Sequence, residues 1–333
     1  MPDDPTIAWL LAGDPAIRWQ TMRDLLDAPA KVWQAERKRT LTEGWGARLL
    51  ALQDADGRWG GGLYSPKWIS TTYTLLLLRD IGIPPDCAPA QRGARLAVDG
   101  LLGERCDEDF ARRLVALDRC IVGMLLALSV YFRIADDRTD AVVDNLLAEL
   151  MPDGAWNCRR HTRAHPTHSS FHTTLNVLDG LREYLDGGAT RAVARVRRAE
   201  RSALELLLAH RLFRSDKTGE IIRPEFAQGS FPHRWYYDYM RALAYFARAD
   251  APRDERLDEA IARLESRRDR NGRWSAGTQH SGRVFFKMEP PGPSRWNTLR
   301  ALRILRWWNT GRTGRGKRRQ PQRGDAWNIS STS

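Results

Sequence analysis

An all-α fold, an (α/α)6 toroid of about six helical hairpins, is the architecture this sequence predicts. Two observations carry the prediction. A short phrase with glycine and tryptophan at fixed spacing recurs along the chain, and nearly all-apolar helices alternate with amphipathic ones. No strand pattern of useful length breaks the alternation.

The phrase occurs as Asp56-Gly57-Arg58-Trp59, Asp153-Gly154-Ala155-Trp156 and Asn271-Gly272-Arg273-Trp274. In each copy a helical stretch ends at the glycine, which accepts the left-handed backbone that closes a helix. The tryptophan two residues on can fold back as a plug between neighbouring units. A degenerate copy runs from Gly219 to Asp238. The spacing fits units of roughly 50 residues, with one unmarked copy in the first gap.

Six core helices are expected near 15–27, 68–80, 118–132, 169–185, 234–248 and 295–308. Three open with an aromatic and hydroxyl or amide residues: Trp68-Ile69-Ser70-Thr71-Thr72, Phe171-His172-Thr173-Thr174 and Trp296-Asn297-Thr298. The stretch from Cys120 to Phe132 is apolar almost all round, as a helix buried on every side should be. Amphipathic helices are expected between them, near 31–53, 90–103, 139–150, 189–210 and 254–269. Val193 to Ala209 puts Arg195, Arg197, Arg198, Glu200 and Arg201 on one face, which marks it as an outer helix.

The chain has 333 residues, 42% hydrophobic and 28% charged, which supports a large core and excludes a mostly disordered chain. Residues 1–310 are expected to form one toroidal domain. Residues 311–333 carry Arg312, Arg315, Lys317, Arg318, Arg319 and Arg323 against Asp325 alone and read as a disordered basic tail. That tail accounts for part of the net charge of +12, so no stable nucleic-acid partner is expected. No apolar run approaches the ~18 residues of a membrane helix, and the polar Met1-Pro2-Asp3-Asp4-Pro5 start lacks a secretory signal, so a cytoplasmic location is expected. Four cysteines (Cys87, Cys106, Cys120, Cys158) are too few for a disulfide framework and read as reduced thiols.

The string Gln53-x-x-x-Gly57-x-Trp59 resembles the end of the Gln-Trp motif of squalene and terpenoid cyclases. With the unit length and helix order, residues ~10–308 resemble the α/α toroid shared by those cyclases and the β subunits of protein prenyltransferases. The resemblance implies an enzyme working by transfer, hydrolysis or isomerisation on an apolar, isoprenoid-like molecule. The Asp-x-Asp-Asp acid motif of the cyclases is absent. Asp136-Asp137-Arg138-Thr139-Asp140 matches an Asp-Asp-x-x-Asp string but is expected to cap an outer helix.

Asp118-Arg119-Cys120 and His172 resemble the zinc ligands of the prenyltransferases, an Asp-x-Cys opening one inner helix and a histidine opening the next. The resemblance implies a zinc cofactor on Asp118, Cys120 and His172, with one coordination position open. Cys158 and His168 are substitute ligands, and His161 and His165 read as polar loop residues. Arg112 takes the place of the family's diphosphate-binding arginine, whereas Val115 stands where the family has lysine. The family's enzymes also need a second subunit, and no protein partner can be named from this chain.

In a toroid the inner-helix N-termini ring one mouth of the cavity and favour anions. That mouth is expected to collect Trp68, Thr71, Arg234, Tyr236, Arg295, Trp296 and Asn297 as substrate-binding residues. Asp238 is a candidate acid or base, as is Glu289. Two other readings stay open. One is a non-catalytic toroid holding a lipid or protein partner. The other is a carbohydrate-active (α/α)6 barrel in which Asp238 and Glu289 face each other across the cavity.

Overall fold

The computed structural model describes residues 4–158 and 166–310, and the described chain is mostly helical. The basic segment 311–333, His161 and His165 lie outside the described residues. The α-helices are α1 (Pro5–Leu11), α2 (Pro15–Asp24), α3 (Ala30–Lys38), α4 (Gly44–Leu50), α5 (Thr71–Ile81), α6 (Ala88–Leu102) and α7 (Glu108–Ala116). They continue as α8 (Arg119–Tyr131), α9 (Arg138–Ala148), α10 (Phe171–Asp186), α11 (Val193–Ala209), α12 (Tyr239–Arg248), α13 (Asp258–Ser266) and α14 (Arg295–Thr310). The one described sheet is a two-residue pairing of Trp274–Ser275 with Pro293–Ser294. No helix among the described residues is long and apolar enough to cross a membrane.

The recurring phrase has one geometry in all three copies. Gly57, Gly154 and Gly272 take φ values of 90°, 94° and 78°. The indole N–H of Trp59, Trp156 and Trp274 donates to the carbonyl of Leu49, Leu146 and Leu264 at 2.8, 2.7 and 2.7 Å. Each tryptophan's backbone N–H donates to a threonine hydroxyl in the first turn of a following helix: Thr71 of α5, Thr174 of α10 or Thr298 of α14. The plug thus ties the end of α4, α9 or α13 to the start of α5, α10 or α14. Gln53 adds a brace in the first copy, donating to Gly57 and Pro89 carbonyls, each at 2.8 Å.

Helices α2, α5, α8, α10, α12 and α14 are the expected core set, and each packs on the next. Trp19 and Gln20 of α2 donate to the Ile81 carbonyl at the end of α5. Helices α5 and α8, α8 and α10, and α12 and α14 are in direct contact, and α14 returns to α2. Arg241 of α12 reaches Asn176 and Asp179 of α10 at 3.0 and 2.7 Å. Arg303 of α14 reaches Gln20 at 2.7 Å and also pairs with Asp24.

Some elements differ from the sequence reading. The helix expected over 31–53 breaks at Gly44, where φ is 67°. Helix α12 begins five residues late because Asp238 caps it, accepting from the Arg241 N–H at 2.7 Å. Glu200 does not lie on a solvent face. It is buried, accepts from the Tyr245 hydroxyl at 2.5 Å and pairs with Arg182. It sits four residues from both Val196 and Leu204, on the stripe that α11 turns inward.

Candidate functional site

A cavity of about 1140 Å³ is lined by residues from all six core helices. Its wall is ionic. Nine arginines and His233 face six carboxylates, with Trp19, Tyr131, Phe231, Tyr245, Trp296 and Trp307 between them. The charges are knitted across helices: Asp179 of α10 meets Arg241 of α12 at 2.7 Å and Arg79 of α5 at 3.9 Å, and Arg79 also pairs with its neighbour Asp80 at 2.9 Å. Arg248 bridges Glu183 and Asp186 at 3.0 and 2.8 Å. Burial alone would raise the Asp179 and Asp80 carboxyls, but Arg241 and Arg79 hold Asp179, and Arg79 and His233 hold Asp80, below the usual carboxylate range. Burial lowers Arg300 and Arg303 from their ordinary values.

His233 stands between two acceptors, with Nδ1 2.8 Å from the Arg234 carbonyl and Nε2 3.3 Å from Asp80 Oδ2. The imidazolium form satisfies both. Burial and the nearby Arg241 oppose that charge and leave the group below its ordinary pKa. Four buried donors on this wall, Arg79 Nη1, Arg241 Nε, Arg303 Nε and Trp296 Nε1, have no acceptor within the described residues.

At the N-terminal ends of the core helices the expected substrate residues fall into three groups. Trp68, Arg234, Tyr236 and His172 come together as one aromatic cluster. Tyr236 stacks on Trp235 and His280 with centroids 4.2 and 3.9 Å apart, and meets Trp68 and His172 edge-on. The Arg234 guanidinium lies 5.7 Å from the Trp68 ring, and burial lowers its pKa to about 10. Thr71 and Asn297 are occupied by backbone: Thr71 holds Gly62 and Trp59, and Asn297 donates to Gly229 and Ser275. Arg295 packs on Trp9 and donates to its carbonyl, whereas Trp296 reaches the cavity wall.

Asp238 spends both oxygens on the Ser230 and Arg241 N–H groups. Glu289 is likewise held by Ser294 and the Arg295 N–H. Arg112 lies exposed on α7, paired with Asp109.

The residues expected to hold zinc do not fit it as a set. Among the described residues no three His, Cys, Asp or Glu side chains gather as a metal group. His172 Nδ1 accepts the Tyr237 N–H at 2.8 Å, which puts the ring proton on Nε2 and leaves neither nitrogen a lone pair for a metal. Asp118 sits buried at the N-cap of α8. Cys120 Sγ lies 3.2 Å from Cys158 Sγ, which also lies 3.2 Å from Thr173 Oγ1. The contact with Cys120 holds the Cys158 thiol below its usual range, and the same contact with burial pushes Cys120 up.

Burial, with Arg241 and Arg223 nearby, lowers the His172 pKa to about 4. The native state therefore refuses a proton that the unfolded chain takes up near 6.5. The associated stability is complete above that pH and is lost as pH falls toward 4, on the order of 3 kcal/mol in full. Urea midpoints measured at neutral pH and near pH 4.5 should show this slope, and His172→Gln should flatten it. An unchanged slope in the variant would show that His172 is not the group responsible.

The cavity charges were the part that sequence reading missed. Their signal is charge within otherwise apolar helices: Arg79-Asp80 after the Leu75–Leu78 run, and Arg300, Arg303 and Arg306 three apart on one face of α14. Compared with known proteins, the chain matches no family model and no curated sequence.

Proposed function

We propose that the chain is an α/α toroid, resembling the terpenoid cyclase and prenyltransferase superfamily, whose cavity takes an amphiphilic anion. The cycle of contacts α2–α5–α8–α10–α12–α14–α2 around one cavity supports the toroid. The arginine excess of the wall, with its unanswered N–H donors, carries the ligand class. Guanidinium groups suit the oxygens of a phosphate or diphosphate head. The interleaved tryptophan and tyrosine rings suit an apolar body. An isoprenoid diphosphate combines the two. If the bound molecule reacts, by transfer, hydrolysis or isomerisation, His233 backed by Asp80 is the acid–base group that the wall offers.

The test is calorimetric titration of the full chain with farnesyl diphosphate, farnesol and inorganic diphosphate. Farnesyl diphosphate should bind tightest, and farnesol alone weakly. Arg241→Lys, which keeps the charge but loses the fork, should weaken diphosphate binding about tenfold. Equal binding of farnesol and farnesyl diphosphate, or no binding of either, would overturn the reading. A sugar phosphate that out-competes farnesyl diphosphate would keep the anion site and replace the isoprenoid body.

A further inference from the structure

We propose that Cys120 and Cys158 are a dithiol that closes to a reversible disulfide by exchange with a low-molecular-mass disulfide. The two sulfurs lie 3.2 Å apart although the residues are far apart in sequence. A disulfide needs about 2.05 Å, so closure asks the sulfurs to approach by roughly 1 Å.

Both ends of the pair are held in place. Cys120 is in the first turn of α8. Cys158 is two residues past Trp156, whose indole is fixed to Leu146 and whose backbone is fixed to Thr174. Both cysteines are half-buried, so a small disulfide can reach them, whereas Cys87 is buried and Cys106 is exposed. The chain thus carries its own comparison thiols.

The step balances. One thiolate of the pair attacks the small disulfide, forming a mixed disulfide and releasing one small thiolate. The second cysteine then attacks the mixed disulfide at the protein sulfur and releases the other. The two protons leave with the two small thiols. The pair is oxidised by two electrons and the small disulfide is reduced by two. Closure ties the start of α8 to the residues just past the Trp156 plug, and withdraws both sulfurs from any soft ligand.

The full chain is equilibrated in buffers of reduced and oxidised glutathione, quenched with acid, alkylated and mapped by peptide mass spectrometry. Alkylation of Cys120 and Cys158 should fall together, by about tenfold or more, across one midpoint, and a peptide linking them should appear. Cys106 should stay alkylated or carry glutathione alone. Cys120→Ser should trap glutathione on Cys158, and Cys158→Ser gives the reciprocal result if the first variant folds poorly. Full alkylation of both cysteines across the series, or separate glutathione adducts on each in the wild type, would overturn the proposal.

Discussion

Replacing Trp156 by alanine is expected to destabilise the fold by about 4 kcal/mol, the range for emptying a buried aromatic site. Its ring is fully buried. Its indole N–H satisfies the Leu146 carbonyl at 2.7 Å, and that acceptor would be orphaned by the change. Trp156→Phe keeps most of the apolar volume and should cost about half as much. Trp59→Ala and Trp274→Ala break the same bond to the carbonyl ten residues earlier, so their losses should be similar. Denaturant midpoints of the four variants decide the matter. A loss below about 1 kcal/mol for Trp156→Ala would mean that the plug does not hold the unit.

Gly123→Val and Gly180→Val should be as damaging, for a steric reason. Helices α8 and α10 touch backbone to backbone. A Cβ at Gly123 would lie 2.5 Å from the Asn176 carbonyl oxygen and 2.7 Å from Val177 Cα. One at Gly180 would lie 2.4 Å from the Gly123 oxygen. These are main-chain atoms, so no side chain can swing aside and the helices must separate. A cost of about 3 kcal/mol or more follows for either valine, and alanine should already cost a large part of it. Val115→Ala, at an exposed site on α7, should stay within about 0.5 kcal/mol. Thermal melts followed by far-UV circular dichroism would show the contrast. Gly123→Ala melting with the wild type would show that the helices do not approach this closely.

The all-α class, the six core helices and the repeat phrase were legible because each is a local pattern. Apolar periodicity marks α8, and Gly-x-Trp marks the ends of three units whatever surrounds them. The Asp136 region was legible for the same reason: Asp136 accepts the Arg138 N–H at 3.1 Å, as a residue placed to cap α9 should. The candidate site was less legible. Trp68, Arg234, Tyr236 and His172 do meet, since all lie near core-helix N-termini. Yet residue type and position could not show that Thr71, Asn297 and Asp238 are taken up by the backbone. A polar side chain at a helix start serves a cap and a ligand equally well, and only the identity of its partner separates the two.

Sequence alone was enough for the helical class, the places of the six most apolar helices and the glycine turns of the recurring phrase. Those depend on periodicity, glycine conformations and caps that act within a few residues. Tertiary contacts set the rest, because they join residues far apart in the chain. They turn His172 Nδ1 toward the Tyr237 amide, place Cys120 against Cys158, and bring Arg79, Asp179 and Arg241 from three helices into one charged wall. A buried charge depends on which opposite charge lies beside it, and that neighbour is supplied by packing rather than by local sequence.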